Sequence, residues 1–562
     1  MNTRVQFRVL YRQFLFRLMD VEVLSTSARG DASGLLGQFG ALLVFGSVLL
    51  AWAGGAVGSE VRHMTTPAGV WGAERFMVSL TMLTVGVFAL LNWESTFLER
   101  RDILVLGPLP VRGRTLLAAK IAAAAAALGI TVIALNCFAG FIWPMAMSPD
   151  GVGIAGTAWF VAVFWVALFA GGLFSYCLVL SVQAAASQLP RRWYLRISPV
   201  LQVGGFAFFL LMICFQPSFR TPEELLSPQS QRLLAWLPPY WFQGLLSELS
   251  GIFREQSHAA MAPLAAHAIV NLSIAIALAS GGFLLNYMRS LRKIVEEPDI
   301  APGARGALWL PRLGRRPQTA LTHFVIRTLL RSRRQRTIVA FYLGGGLALV
   351  AVYLGGARAA LHTDWAGIAQ RVPFPLAVAS VLMLAATWLG TRSVFSLPVD
   401  LRANWVFRIV PLTYDSRERV AAVRRALVVL AVLPVAVASA GLLLILWPWR
   451  MALEHTLVLV LLGSVLADAS LRGFHKIPFA CSWLPGRSKV HMVFWFGVLP
   501  VVYAIHRLAQ LEQRAMPAAV AVLAIVAGAA RIVTDTAASR LEPEVKFEEV
   551  AADELVGLGI GS

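Results

Sequence analysis

From Ile121 to Leu135 the chain runs without a charged residue, in a block dominated by alanine, leucine and isoleucine. A helix of about 20 such residues, rising 1.5 Å each, spans the hydrocarbon core of a bilayer. Blocks of this kind recur throughout. In the first half they lie near Leu35 to Ala56, Phe76 to Trp93, Ile121 to Trp143, Ala158 to Val182, Val200 to Cys214 and Met261 to Leu285. In the second they lie near Ile338 to Gly356, Leu376 to Phe395, Ala426 to Trp447, Leu453 to Leu471, Val490 to Ala504 and Pro517 to Ile532. Barrel strands would instead alternate apolar and polar residues over about ten positions. The expected fold class is therefore an all-α polytopic membrane protein with about 12 transmembrane helices.

Composition agrees: 58% of the 562 residues are hydrophobic, 14% are charged, and the mean hydropathy is +0.69. Soluble domains are about 45–50% apolar and about 25% charged. The net charge of +19 invites a nucleic-acid partner, so its placement matters. The great majority of the 49 lysines and arginines fall in the segments on the side of both termini. That is the positive-inside pattern, which puts both termini in the cytoplasm and makes the basicity a topology signal. No nucleic-acid partner is expected, and the expected location is a bacterial-type plasma (inner) membrane. Trp52, Trp71, Trp143, Trp447 and Trp449 fall at the outer ends of spans, where amphipathic rings settle. Met1 to Leu24 lacks the apolar core and cleavage site of a signal peptide. Cys137, Cys177 and Cys214 lie in spans and Cys481 in a cytoplasmic loop, so no extracellular disulfide framework is expected.

Arg4, Arg8 and Arg12 recur every fourth residue, with Val5, Val9, Phe16 and Leu18 as apolar surface, as in a helix lying in the cytoplasmic headgroup layer. Leu321 to Arg336 repeats the pattern with Arg327, Arg331 and Arg334. Between them, Arg289 to Gln318 is rich in Pro, Gly and Arg and reads as a linker. Two halves are expected, residues 1–300 and 301–562, each a six-span pseudo-repeat introduced by a cytoplasmic interfacial helix, the second ending in a short acidic tail. In both, the loop after the second span carries charges, a Pro preceded by Leu or Val, and a basic helix start. The first runs from Glu99 to Arg114 and on to Lys120, the second from Pro398 to Pro411 and on through Asp415, Arg417 and Arg425.

Gly151-Val-Gly-Ile-Ala-Gly156 fits a dinucleotide-binding pattern, but that pattern needs a preceding strand, and here it joins two membrane helices. It reads as a loop. No GxxxxGK[ST] phosphate loop occurs, nor HExxH, CxxC or GxSxG, so no cofactor or metal is expected and any ATP hydrolysis belongs to a partner. The main polar residues within spans are Asn136, His267, Asn271 and Asp468. Asp468 stands four residues before Arg472, a spacing for a local ion pair. Few carboxylates at mid-membrane argue against a proton-driven carrier.

Glu99, Leu104, Leu106, Pro110, Val111, Arg112, Arg114 and Lys120 resemble the cytoplasmic loop of the type-2 family of ABC permeases. The resemblance implies a permease subunit, not itself an enzyme, whose loop docks a separate ABC ATPase subunit. It assigns coupling to Glu99, Arg100, Asp102, Pro110, Arg112 and Arg114, with Asp400, Arg402, Pro411 and Arg417 as the counterpart. Leu237-Pro-Pro-Tyr-Trp-Phe-Gln-Gly244 is similar to the family's outer Pro-x-Trp-Phe stretch, which implies an outer gate at Pro238, Pro239, Trp241 and Phe242. A simple interfacial anchor explains the same residues. The second half lacks that stretch. Family permeases often have six spans and dimerise, and this chain resembles two such units fused, a pseudo-dimer within one chain, with a homodimer also open. The alternatives are a secondary carrier and a membrane-embedded transferase or polymerase acting on lipid-linked substrates, which should show Asp-rich or His motifs.

Overall fold

The structure is a computed structural model. It describes residues 3–19, 43–52, 54, 67–93, 112–148, 152–214, 227–251, 254–296, 316–360, 374–395, 397, 407, 416–471, 476–480 and 516–540. Among these every regular element is helical, and ten helices are long and apolar enough to cross a bilayer. This is the architecture of a multi-pass membrane protein. The expected span at Val490 to Ala504 lies outside the described residues, and that at Leu35 to Ala56 is described only as the shorter helix Leu43–Trp52. The chain forms two compact units, Met1–Ala301 and Pro302–Ser562.

The first unit contains α1 (Thr3–Met19), α2 (Leu43–Trp52), α3 (Pro67–Leu91), α4 (Gly113–Asn136), α5 (Ala139–Met147), α6 (Gly153–Ser187), α7 (Arg191–Cys214), α8 (Pro228–Leu234), α9 (Pro238–Ser250) and α10 (Arg254–Glu296). Alanine, the strongest helix former, fills the middle of α4 and keeps its surface low. Ala119, Ala123 and Ala127 recur every fourth residue, and Leu10, Phe14 and Leu18 of α1 bury themselves in the same cluster. Lys120 is buried here with Nζ 5.3 Å from the Phe14 ring centroid. Of the apolar residues expected on α1, Leu18 joins this cluster and Phe16 is half-buried. Val5 and Val9 are exposed beside Arg4, Arg8 and Arg12, because the i, i+4, i+8 row that meets α4 starts at Leu10.

Small residues set the approach of the spans, as expected where lipid leaves packing as the main attraction. A Cβ on Gly171 of α6 would come within 3.2 Å of Met82 on α3, and one on Gly205 of α7 within 2.8 Å of Leu90. The third span ends at Asn136 rather than Trp143. Ser47 Oγ accepts from the backbone N–H groups of Phe138 and Ala139 at 3.0 and 3.1 Å, which starts α5 as a separate helix. Gly153 takes φ +69° at the start of α6, so the supposed loop at Gly153 to Gly156 is the first turn of a helix.

The second unit contains α11 (Arg316–Arg331), α12 (Arg333–Ala360), α13 (Phe374–Phe395), α14 (Ser416–Leu427), a π-helical turn (Val428–Val432), α15 (Leu433–Leu446), α16 (Trp449–Ser470) and α17 (Met516–Ser539). α11 buries Leu321, Val325, Ile326 and Leu329, packs against α14, and leaves Arg327 and Arg331 exposed. Thr322 Oγ1 donates to the Ala422 carbonyl at 3.2 Å across that contact. Pro434 has no N–H to give the Leu430 carbonyl, and the ladder widens just ahead of it into the π turn. Gly463 of α16 makes room for the widened turn, since a Cβ there would lie 2.5 Å from Val432.

Candidate functional site

Each of the basic residues expected to couple, where it falls within the described set, stands at the start of a helix that leads into a span. Arg112 is the N-cap of α4, with φ −70° and ψ 132°, and Arg114 lies in its first turn; both are exposed. Arg417 is exposed in the first turn of α14. A positive charge at a helix N-terminus opposes the helix dipole, so these residues are not there to stabilise their helices. Glu99, Arg100, Asp102, Pro110, Asp400, Arg402 and Pro411 lie outside the described residues. From the second loop the structure describes Phe407, whose ring meets Phe324 of α11 edge-on at 5.1 Å.

The stretch expected to form an outer gate is α9, with its two prolines at the N-terminal positions that need no amide donor. Pro238, Pro239, Trp241 and Phe242 are all buried. Trp241 Nε1 donates to the carbonyls of Leu234 and Ala235 at 3.2 and 3.1 Å, folding α8 back onto α9. Phe174 of α6 lies 5.7 Å from the Trp241 ring and 5.6 Å from that of Phe242. Against α10, Gly244 allows a contact that no other residue would fit: its Cβ would lie 2.9 Å from both the Ala265 nitrogen and the Met261 oxygen. Gly251 closes α9 with φ +70°, a left-handed cap suited to glycine.

α9 also packs on α3, where the sequence reading missed two charged residues. Placing the second span from Phe76 left Glu74 and Arg75 in a loop, whereas α3 begins at Pro67 and buries both. The signal was available in Pro67 as a helix start followed by Val70, Trp71 and Ala73. The Arg75 guanidinium lies 4.8 Å from the centroid of the Tyr240 ring on α9. Burial pushes the Tyr240 phenol up to about 12, with the Arg75 charge pulling the other way. Gln243 Nε2 donates to the Trp71 carbonyl at 3.1 Å. Glu74 Oε2 and Gln243 Oε1 have no hydrogen-bond partner among the described residues.

The polar span residues divide. Asn136 is fully buried and donates to Thr81 Oγ1 at 3.1 Å and to the Val132 carbonyl at 2.9 Å, a bond between α4 and α3. His267 is exposed and stacks on Trp241 at 6.3 Å, and Asn271 donates back to the His267 carbonyl at 2.9 Å. Asp468 differs from expectation: it is buried against Arg424 of α14, while Arg472 lies outside the described residues. Arg424 also reaches Asp535 of α17, which Arg531 approaches at 3.4 Å. Sequence spacing could not find this partner, which is remote along the chain. Of the supposed aromatic belt, Trp52 and Trp449 are exposed, but Trp71, Trp143 and Trp447 are buried packing residues.

No family model, curated protein or solved structure matches this chain.

Proposed function

We propose that the chain is the membrane-spanning permease subunit of an ABC transporter, coupling ATP hydrolysis by a separate ATPase subunit to translocation of a substrate across a bacterial-type plasma membrane. One observation carries the reading. In each unit an amphipathic helix packs on the helix that follows the charged loop after the second expected span, α1 on α4 and α11 on α14. A force applied to either loop would pass to the span behind it through a braced helix start, which suits a motor bound at the membrane surface. Phe407 against Phe324 supports the same role for the second loop. The two halves act as six-span pseudo-repeats, with α9 as the outer gate of the first and the termini in the cytoplasm. The chain has no phosphate-cradling loop of its own, so ATP must be held by the partner.

The test reverses Glu99 and Asp102 to Lys. Added positive charge keeps the loop inside, so insertion should be normal while a docking surface loses its complementarity. The expected result is a correctly inserted protein that fails to co-purify with its ATPase or to stimulate it. If the double variant inserts, retains the ATPase and transports like the parent, this loop is not the coupling element.

One observation favours a second reading, a secondary carrier. Glu74 is a buried carboxylate on a membrane helix, the kind of group such carriers place on ion pathways. Transport by the isolated, reconstituted chain without ATP or partner would decide for it.

A further inference from the structure

Glu74 and Gln243 are 4% and 1% exposed, and each holds one side-chain oxygen with no partner among the described residues. Gln243 Nε2 donates to the carbonyl of Trp71, three residues before Glu74 on α3. Residues three apart share a helix face, so this bond pins the Gln243 amide within a turn of the carboxyl. Arg75, the next residue, is directed around the helix onto the Tyr240 ring. Two buried acceptor oxygens are thus held within a helical turn of each other, neither meeting a donor among the described residues, an arrangement strongly disfavoured while the carboxylate is charged. A metal cation would require more oxygens than the two that this contact offers. A proton neutralises the carboxylate, provides the missing donor and adds no volume.

We propose that Glu74 is a proton-binding site. With the proton bound, the Glu74 hydroxyl donates to Gln243 Oε1 and latches α9 to α3. When the proton leaves to water, a carboxylate faces an amide oxygen, and α9 is released from α3. The charged and titratable neighbours do not replace the proton. On α9 they are Tyr240, which carries Arg75, and Glu248, whose carboxylate pairs with His258 of α10 at 2.8 Å. α6 runs alongside α3 from the Val78–Gly171 contact to Trp93–Gln183, which sets Tyr176 and Cys177 away from Glu74. α7 and α4 meet α3 at Phe209–Gly86 and Asn136–Thr81, and Cys214 and Cys137 are their titratable groups nearest that level. The site goes beyond the permease reading and stands whichever energy source drives the chain.

The experiment uses the purified full-length protein in detergent. Infrared difference spectra between about pH 5 and pH 9 read the carbonyl band of a protonated carboxyl, and thermal unfolding is followed over the same range. In the parent a carboxyl band should be lost as pH rises, with a fall in Tm over the same interval. Glu74→Gln places a permanent amide donor opposite Gln243, so it should lack that band and keep its Tm where the parent's falls. Should Glu74→Gln fail to fold, Gln243→Leu serves instead: losing the acceptor should shift the band and weaken proton binding about tenfold. A Glu74→Gln variant with the parent's pH-dependent band and Tm, or a parent with no titrating carboxyl band, overturns the proposal.

Discussion

Arg424 Nη2 donates to Asp535 Oδ1 at 2.8 Å while the same guanidinium faces Asp468, so one side chain of α14 holds both α16 and α17. Thr534 Oγ1 adds a bond to the Asp468 carbonyl at 3.0 Å. Breaking a buried pair from one side costs more than removing it whole, because the remaining charge is stranded. Arg424→Met should therefore destabilise the protein by about 3–5 kcal/mol, and adding Asp468→Asn should recover part of that loss. Thermal unfolding in detergent checks both. A double variant less stable than the single by the full cost of Asp468→Asn alone would show that the two residues do not act as a pair.

Gly244→Ala should separate α9 from α10. The added carbon meets backbone atoms of α10, which cannot rotate away as a side chain could. We expect a loss of about 2 kcal/mol or more and altered tryptophan emission, since Trp241 lies three residues away on the same helix. Gly251→Ala tests the other end of α9, where the left-handed φ opposes a side chain, with an expected cost of about 1 kcal/mol.

Phe14→Ala removes the ring that covers Lys120 and fills the row between α1 and α4. The expected cost is about 3 kcal/mol, concentrated at the α1 contact. Limited trypsin digestion should then cut at Arg8 or Arg12 faster than in the parent. Unchanged cleavage kinetics would mean that α1 stays in place without Phe14.

Asn136→Leu keeps the branched outline of the side chain and removes its bonds to Thr81 and the Val132 carbonyl. Interhelical hydrogen bonds of this type average well below the cost of a broken ion pair, so a loss of about 1 kcal/mol is expected. A cost of about 3 kcal/mol or more would mean that Asn136 has a larger role than bridging α3 and α4.

The helical class and most spans could be read from the sequence because hydropathy in long blocks needs no knowledge of neighbours. Helix ends were less legible. The end of α4 at Asn136 depends on Ser47, which is distant in sequence, and the start of α3 lay hidden because Glu74 and Arg75 look like loop residues. Polar partners were least legible of all. Asp468 has a tempting basic residue four positions on, yet its partner is Arg424 on another helix, and only packing reveals which remote charge is brought alongside. On α1 the row Arg4, Arg8 and Arg12 and the apolar Leu18 could be read from spacing, whereas Leu10 and Phe14 could not, since only the docked α4 marks them out from Val5 and Val9.

The widened turn at Val428–Val432 divides the segment Ser416–Leu446 mechanically. A turn that carries one extra residue offsets the side-chain register above it by about 100° from that below. The lower part is keyed to its neighbours by Arg424, while the upper part turns Leu433, Val437 and Leu444 outward. The segment is thus two helical lengths with offset side-chain registers rather than one continuous helix, so the faces that each length presents to its neighbours are set separately.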